Sequence, residues 1–237
     1  MPDLLTRFST RDGYTLFPDV MPFFAAVRAA RRSREAEAQG SNQGQREKQH
    51  QGKDIISSEQ LLWPWPTQVG IVTNSDDRVP GILRSFGLGV SARRAGGNNR
   101  DDDSISEAAA ASGAGHEAHD VDFVVLSYDV GAEKPDRRIF DSARDLFARS
   151  LEEAEGPTMA SAVTKAQSHE ARDHELWYVG DDKEKDFRGA IAAGWKAVHL
   201  VRERTSNERL AEAGQLQEEI ITIHNLSELR SVIEQNR

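Results

Sequence analysis

An apolar run near the C-terminus leads into two carboxylates and then into a helix of small residues. The run 176–179 has the composition of a buried strand, Gly180-Asp181 follows it, and Asp186 comes five positions after Asp181. This order places Asp181 and Asp186 in one turn at the carboxyl end of a parallel strand, where open α/β sheets bind ligands. Clustered carboxylates there suit Mg²⁺, which takes oxygen ligands and often contacts a phosphate. The segment therefore predicts a ligand site at one edge of a sheet.

Composition limits the class of protein. The 237 residues suit one ordinary domain, or one domain with a small cap, and the 38% hydrophobic content predicts that part of the chain is solvated. A net charge of −9 argues against binding to nucleic acid or to an anionic membrane. The absence of cysteine excludes disulfides and thiol catalysis. We expect a soluble intracellular protein, cytoplasmic with the nucleus as the alternative, whose protein partners the sequence does not identify.

Strands and helices alternate along the chain, which predicts an α/β fold with a parallel sheet. The apolar runs predict strands at 68–73, 123–128, 176–179, 197–201 and 220–223. Helices are predicted at 18–31, 76–86, 135–149, 187–193 and from residue 227 onward. Three stretches without periodicity, at about 32–66, 91–119 and 153–173, are predicted to be low-complexity insertions. The Trp-Pro-Trp-Pro end of the first insertion, 63–66, is expected to dock on the domain.

Three local patterns occur in order, each where a strand gives way to a helix. They are Thr73-Asn74-Ser75-Asp76, the Glu-Lys-Pro-Asp stretch around Lys134, and the Gly180-Asp181 turn. Together they resemble motifs II, III and IV of the haloacid dehalogenase (HAD) superfamily of phosphohydrolases. The stretch 123–140 looks most like the eukaryotic branch similar to haloacid dehalogenase-like hydrolase domain-containing protein 3. The resemblance implies a three-layer Rossmann-like core at 18–237 that contains the insertions, with a remnant of a helical cap at 1–17.

The resemblance also implies roles for five residues. Thr73 and Lys134 would be catalytic, because phosphoryl transfer depends on positioning and charge neutralisation. Thr73, Asn74 and Lys134 would bind the phosphate of a small phosphorylated substrate. Asp181 would bind Mg²⁺ directly, and Asp186 would do so directly or through water.

Taken singly, these residues have simpler interpretations. Thr73 and Asn74 at a strand end are also typical helix-capping residues, and Asp181 is a candidate N-cap. Lys134 alone is more typical of a solvated lysine. The residues 182–185 have the composition of a solvated turn.

The motif I of the superfamily, an Asp-x-Asp after the first and central strand, has no match in this sequence. Its first aspartate is the nucleophile and its second is the general acid/base. The segment 1–68 contains no apolar strand followed by Asp-x-Asp, and Asp12, Asp19, 101–103 and 120–122 lie in unsuitable contexts. We therefore assign no nucleophile and expect weak Mg²⁺ binding. Because the motif I strand lies between the motif II and motif IV strands, those two must pair directly or leave open edges.

Three explanations for the missing motif stay open. An upstream segment is absent from this sequence, the chain is a non-catalytic HAD-fold protein with an interaction or regulatory role, or another carboxylate serves in a rearranged site. The favoured prediction is an HAD-like hydrolase, a Mg²⁺-dependent phosphatase of a small metabolite that is inactive or incomplete as given. Dehalogenation is disfavoured because it belongs to a narrower branch of the superfamily.

Overall fold

A computed structural model describes residues 6–40, 63–96, 119–155, 174–202 and 220–237. The chain divides into two compact units. The first comprises Met1–Thr15 and Val69–Asn225, and the second comprises Leu16–Gln68 and Leu226–Arg237. The motifs described above all fall in the first unit.

The strands of the described residues belong to the first unit, and their ladder pairings are parallel. They are β1 (Gly70–Thr73), β2 (Phe123–Leu126), β3 (Trp177–Gly180), β4 (Lys196–Leu200) and β5 (Thr222–Ile223). β1 pairs with β2 in one ladder, and β3, β4 and β5 pair in that order in a second ladder. Since helices alternate with these strands, the α/β fold expected from the sequence is confirmed.

The helices follow the strands in the predicted order, except that a short helix at Ser127–Val130 replaces the end of the strand predicted at 123–128. They are α1 (Val20–Gly40), α2 (Arg78–Ser85), α3 (Ser127–Val130), α4 (Arg137–Glu155), α5 (Gly189–Ala192) and α6 (Leu229–Gln235). A π-helical turn at Lys183–Arg188 leads directly into α5, and short 3₁₀ turns occupy Arg11–Gly13 and Leu226–Glu228. Among the described residues, no helix is long and apolar enough to span a bilayer.

Within the described residues, β1 and β3 do not pair with each other. The sequence allowed either direct pairing or open edges, and the structure shows the second arrangement. A side chain makes the link instead, because the Tyr178 hydroxyl of β3 donates a hydrogen bond of 3.0 Å to the Val72 carbonyl of β1. The interval between β1 and β3 is where the resemblance places the motif I strand.

One face of α4 packs into the hydrophobic core. Ile139, Phe140, Ala143 and Leu146 are all buried, at the spacing of one helical face. The Phe140 ring makes an edge contact with Tyr178, with ring centroids 5.3 Å apart. α4 contacts both β1 and β2, so it holds the first ladder against the strand that carries the Gly-Asp turn.

The second unit has its own small core. Phe24 and Val27 of α1 are buried, as is Trp63, whose ring packs edge-on against Phe23 at a centroid distance of 5.5 Å. Asp19 accepts a hydrogen bond of 2.6 Å from the backbone N–H of Leu226. The expected docking of the Trp-Pro-Trp-Pro segment is therefore seen within this unit.

Several predicted boundaries are wrong. α1 continues to Gly40 and α4 continues to Glu155, into stretches predicted to be insertions. Both extensions lack apolar periodicity but are rich in Ala and Glu, which favour helix on their own. Residues 91–96 also pack against the core, with Ser91 and Ala95 buried. The remainder of the three predicted insertions lies outside the described residues.

Candidate functional site

A buried ion pair joins the stretch around Lys134 to the Gly180-Asp181 turn and the helix after it. The Lys134 ammonium lies 2.6 Å from Asp186 Oδ1, with side-chain exposures of only 11% and 5%. The same ammonium donates a hydrogen bond of 2.9 Å to the Tyr178 hydroxyl. The interpretation of Lys134 as a solvated lysine is therefore wrong, and the structure brings Lys134 and Asp186 together from 52 positions apart.

Gly180 provides the space for the Asp186 carboxylate. A Cβ atom at position 180 would collide with the carboxyl group of Asp186. With glycine there, Asp186 Oδ2 accepts a hydrogen bond of 3.1 Å from the backbone N–H of Asp182. The Gly-Asp turn and the later aspartate are thus one packed unit, which explains the spacing seen in the sequence.

Asn74 holds the main chain of Lys134 at two points. Its Oδ1 accepts a hydrogen bond of 2.7 Å from the Lys134 N–H, and its Nδ2 donates one of 3.2 Å to the Lys134 carbonyl. The residue preceding α2 is Asp77, and Asp76 Oδ1, not Asn74, accepts from the first backbone N–H of that helix at Arg78. The helix-cap interpretation of Asn74 is wrong, and its side-chain amide positions the Lys134 loop.

Thr73 ends β1 directly before Asn74 and is half-buried. No hydrogen bond to its hydroxyl is present among the described residues. Its neighbour Asn74 is bonded to Lys134, so Thr73 stands at the same sheet edge as the ammonium-bearing loop. The hydroxyl is thereby available for the phosphate contact that the resemblance implies.

Asp182 caps the turn that follows β3. Its carboxylate accepts hydrogen bonds from the backbone N–H groups of Lys185 at 2.8 Å and Glu184 at 3.0 Å. These bonds, that from Lys185 above all, hold the pKa of Asp182 below its usual value. The N-cap interpretation of Asp181 is therefore wrong by one residue, because Asp182 has that role.

Asp181 lies at the exposed end of β3. Its backbone carbonyl lies 3.1 Å from His199 Nε2. Its carboxylate accepts no hydrogen bond from the described part of the chain. Asp181 is thus the one predicted metal ligand whose side chain is open to a ligand.

The carboxylates present do not complete a Mg²⁺ site. Asp186 Oδ1 already accepts from Lys134, and its Oδ2 accepts from Asp182 N–H. Within the described ranges, no three His, Asp or Glu side chains gather in a group that could hold a metal ion. Asp181 alone is a poor ligand set for a cation that prefers about six oxygen ligands. The predicted pairing of Asp181 and Asp186 around a metal is therefore not formed by these residues alone.

Tyr178 is the site residue that sequence reasoning missed. Burial, and secondarily the Asp186 charge, raises the pKa of its hydroxyl well above its usual value, so the hydroxyl stays protonated. It accepts from Lys134 and donates to Val72 O, with Asp186 Oδ1 also 3.2 Å away. The sequence feature that could have indicated Tyr178 is a hydroxyl-bearing side chain within a short apolar strand, two residues before Gly180.

Two of the aspartates considered as nucleophiles, Asp120 and Asp122, have structural partners, and 101–103 lie outside the described residues. Asp122 Oδ2 accepts from Val69 N–H at 2.7 Å, and Asp120 Oδ2 accepts from Gly89 N–H at 2.8 Å. Both precede β2, at the opposite end of the strand from Lys134. This placement, away from the carboxyl end of β2, is consistent with a nucleophile role for neither residue.

Comparisons with known proteins bear on the same motifs. The sequence profile of the HAD-hydrolase-like family matches residues 131–229, which include Lys134, Asp181 and Asp186. An uncharacterised hydrolase of Schizosaccharomyces pombe is 28% identical over 131 residues, covering 55% of this chain and 38% of that protein. This chain thus spans well under half the length of that relative.

Two solved structures show lower sequence identity to this chain. An HAD phosphatase from Thermococcus onnurineus is 17% identical, with a TM-score of 0.49 over 98% of this chain and 63% of that one. A 2-haloacid dehalogenase from Pseudomonas syringae pv. Tomato is 20% identical, with a TM-score of 0.28 over 59% of this chain and 44% of that one. Neither similarity decides an activity, and the resemblance to the narrower eukaryotic branch stays a prediction. The family profile spans the motif III and motif IV stretches and the curated relative is a hydrolase, so both comparisons support the resemblance to the HAD-like superfamily.

Proposed function

We propose that this chain carries the phosphate-binding half of a Mg²⁺-dependent phosphatase site for a small phosphorylated metabolite. We propose further that it is inactive or incomplete as given, because it supplies no aspartate nucleophile. The observation that carries the proposal is the buried Lys134–Asp186 pair, which Asn74 holds at the carboxyl edge of the sheet. Charge fixed in this way is what phosphoryl transfer requires of a protein.

Each residue of the half-site has a role that its environment supports. Lys134 is a fixed cation for phosphate oxygens, since its main chain is bound by Asn74 and its ammonium by Asp186. Thr73 would donate its hydroxyl to the same phosphate. Asp181 would contribute one carboxylate to a Mg²⁺ site that other ligands must complete. Mg²⁺ bound there would neutralise phosphate charge.

The missing part is a carboxylate that attacks phosphorus. Without it, the remaining residues bind and orient a phosphate but form no covalent intermediate, and losing such a nucleophile costs several orders of magnitude in rate. In the superfamily that carboxylate follows the strand between the motif II and motif IV strands. The unpaired edges of β1 and β3 occupy that position in the described structure.

A non-catalytic role is the second candidate, and one observation favours it. The Lys134 ammonium already has Asp186 and Tyr178 as partners, so a phosphate would have to compete with a buried carboxylate. Such a protein would keep the HAD fold for interaction or regulation. It would show neither phosphate turnover nor Mg²⁺-dependent stabilisation.

The test compares two forms of the protein with an aryl phosphate and Mg²⁺. One is the 237-residue chain. The other is extended by in-frame upstream sequence that ends a strand with Asp-x-Asp. We expect turnover only in the extended form, and its loss in Lys134→Ala but not in the exposed control Lys183→Ala. If a folded extended form does not turn over, the non-catalytic role replaces the hydrolase.

A further inference from the structure

An open cleft of about 860 Å³ lies beside the Lys134 loop. One side consists of Asn74 and the residues after it, at the carboxyl end of β1. The other includes Gly131 and Glu133, which lead directly into Lys134. The cleft therefore adjoins the main chain that leads into Lys134, which Asn74 holds by two hydrogen bonds.

An aromatic ring stands on the wall of this cleft. Tyr128 lies in α3, directly after β2, and is 73% exposed, the most exposed large hydrophobic side chain among the described residues. A single exposed aromatic is ordinary on a protein surface. A ring that lines a cleft next to a phosphate-binding loop is instead positioned to stack on a planar ligand.

Two arginines on the cleft each form an ion pair with a nearby aspartate. Arg78 and Arg138 each pair with the aspartate two positions earlier, Asp76 and Asp136, with Nη2–Oδ2 distances of 2.8 Å in both pairs. The hydrogen bonds from Arg138 lower the pKa of Asp136 to about 2, so Asp136 carries its charge at neutral pH. In both arginines Nε and Nη2 contact the carboxylate, while Nη1 makes no hydrogen bond within the described residues.

The charges of the cleft limit the ligand. Two arginines are balanced by Asp76 and Glu133 on the same walls. A polyphosphate would be repelled by Asp76 and Glu133. A single carboxylate can instead accept hydrogen bonds from the Nη1 edge of an arginine, which the paired aspartate leaves open. The exposed ring of Tyr128 and the guanidinium groups of Arg78 and Arg138 are therefore suited to binding a planar group with one negative charge.

We infer that this cleft binds the leaving group of the substrate, and that this leaving group is a planar ring bearing one carboxylate. The inference rests on the proposed function, because it assigns the cleft to the alcohol side of the phosphate ester. Tyr128 would stack on the ring, and Arg78 and Arg138 would bind the carboxylate.

The test measures binding without turnover, so it is independent of phosphatase activity. The full chain is titrated with 4-hydroxybenzoate, with cyclohexanecarboxylate (same charge, no planar ring) and with phenol (ring, no carboxylate). Amide NMR signals of Tyr128 and Gly131 report on the cleft. We expect 4-hydroxybenzoate to shift these signals and to bind at least about threefold more tightly than either control, as one aromatic contact implies.

Variants locate the binding. Tyr128→Ala should weaken 4-hydroxybenzoate binding about two- to tenfold, while Tyr128→Phe, which keeps the ring, should bind as the parent does. Arg138→Gln should weaken it about tenfold. The matched control is Arg137→Gln, because Arg137 has the same 66% side-chain exposure and also pairs with an aspartate, but does not line the cleft.

Two results would overturn the inference. One is equal binding of the three probes. The other is binding that Tyr128→Ala and Arg138→Gln leave unchanged in folded protein. If the upstream-extended form releases no phosphate while cleft binding persists, the proposed function is removed but the cleft stays a site for aromatic carboxylates.

Discussion

The Tyr178 hydroxyl donates a hydrogen bond to the Val72 carbonyl, and this contact spans the interval between two strands that do not pair. The same hydroxyl accepts from Lys134. One side chain thus links β1 to β3, which belong to separate sheets among the described residues, and also binds the Lys134 ammonium. The contact between β1 and β3 and the position of the Lys134 ammonium therefore both depend on the Tyr178 hydroxyl.

Removing that hydroxyl should destabilise the protein. Tyr178→Phe leaves the Val72 carbonyl without this donor and Lys134 without one acceptor, at a cost of about 1–3 kcal/mol in the free energy of unfolding. Urea denaturation measures it. In the control Tyr14→Phe, the lost bond is an exposed one to Phe8 O, so a change within about 0.5 kcal/mol is expected. Equal effects of the two substitutions would show that Tyr178 does not join the ladders.

Gly180 should tolerate no side chain. Gly180→Ala forces a methyl group against the Asp186 carboxylate, and overpacking of this kind costs about 1–3 kcal/mol. Gly81→Ala is the matched control, because its nearest neighbour would be Ser9 O at 3.9 Å and its helix gains from alanine. Thermal unfolding should show a lower midpoint for the first variant and an equal or higher one for the second. A neutral Gly180→Ala would contradict the packing described for Asp186.

Asn74 should control the order of the Lys134 loop. Asn74→Ala removes both hydrogen bonds to the Lys134 main chain. The Lys134 amide should then exchange with deuterium about tenfold faster or more, since about 1–3 kcal/mol of local stability is lost. Exchange at the Val125 amide, in the buried strand β2, is the internal reference. Unchanged exchange at Lys134 would mean that the loop is held by other contacts.

The cap at Asp182 should make stability depend on acid. Its folded-state pKa lies below the ordinary 3.8, so its contribution is complete above that value and is lost as pH falls through the folded pKa. Asp182→Asn keeps a capping oxygen without the titration. From about pH 5 to about pH 2, the parent should lose more stability than Asp182→Asn. Equal slopes for the parent and Asp182→Asn would refute the assignment.

Local patterns were sufficient to predict the strand-turn-helix units and the edge at which they meet. The spacing from Gly180 to Asp186 and the Lys134-Pro135 pair are short-range signals, and parallel strands bring their carboxyl ends together. For that reason Lys134 and Asp186 could be assigned to one site before their contact was known. Their direct ion pair was not foreseen, because the resemblance assigned Asp186 to a metal.

Contacts between distant positions could not be read in the same way. Tyr178 and Val72 are 106 positions apart, and Asn74 and Lys134 are 60 apart. No local periodicity encodes either pairing. The extension of α1 to Gly40 was missed for a different reason, since that stretch has helix-forming residues without an apolar face to reveal them.

The most direct test of the account is phosphate release from an aryl phosphate by this 237-residue chain with Mg²⁺, beside Lys134→Ala. The account predicts that the folded chain releases phosphate no faster than the Lys134→Ala variant, because no residue forms the covalent intermediate. Turnover by the parent chain that Lys134→Ala abolishes would contradict it, since a nucleophile would then be present within these residues.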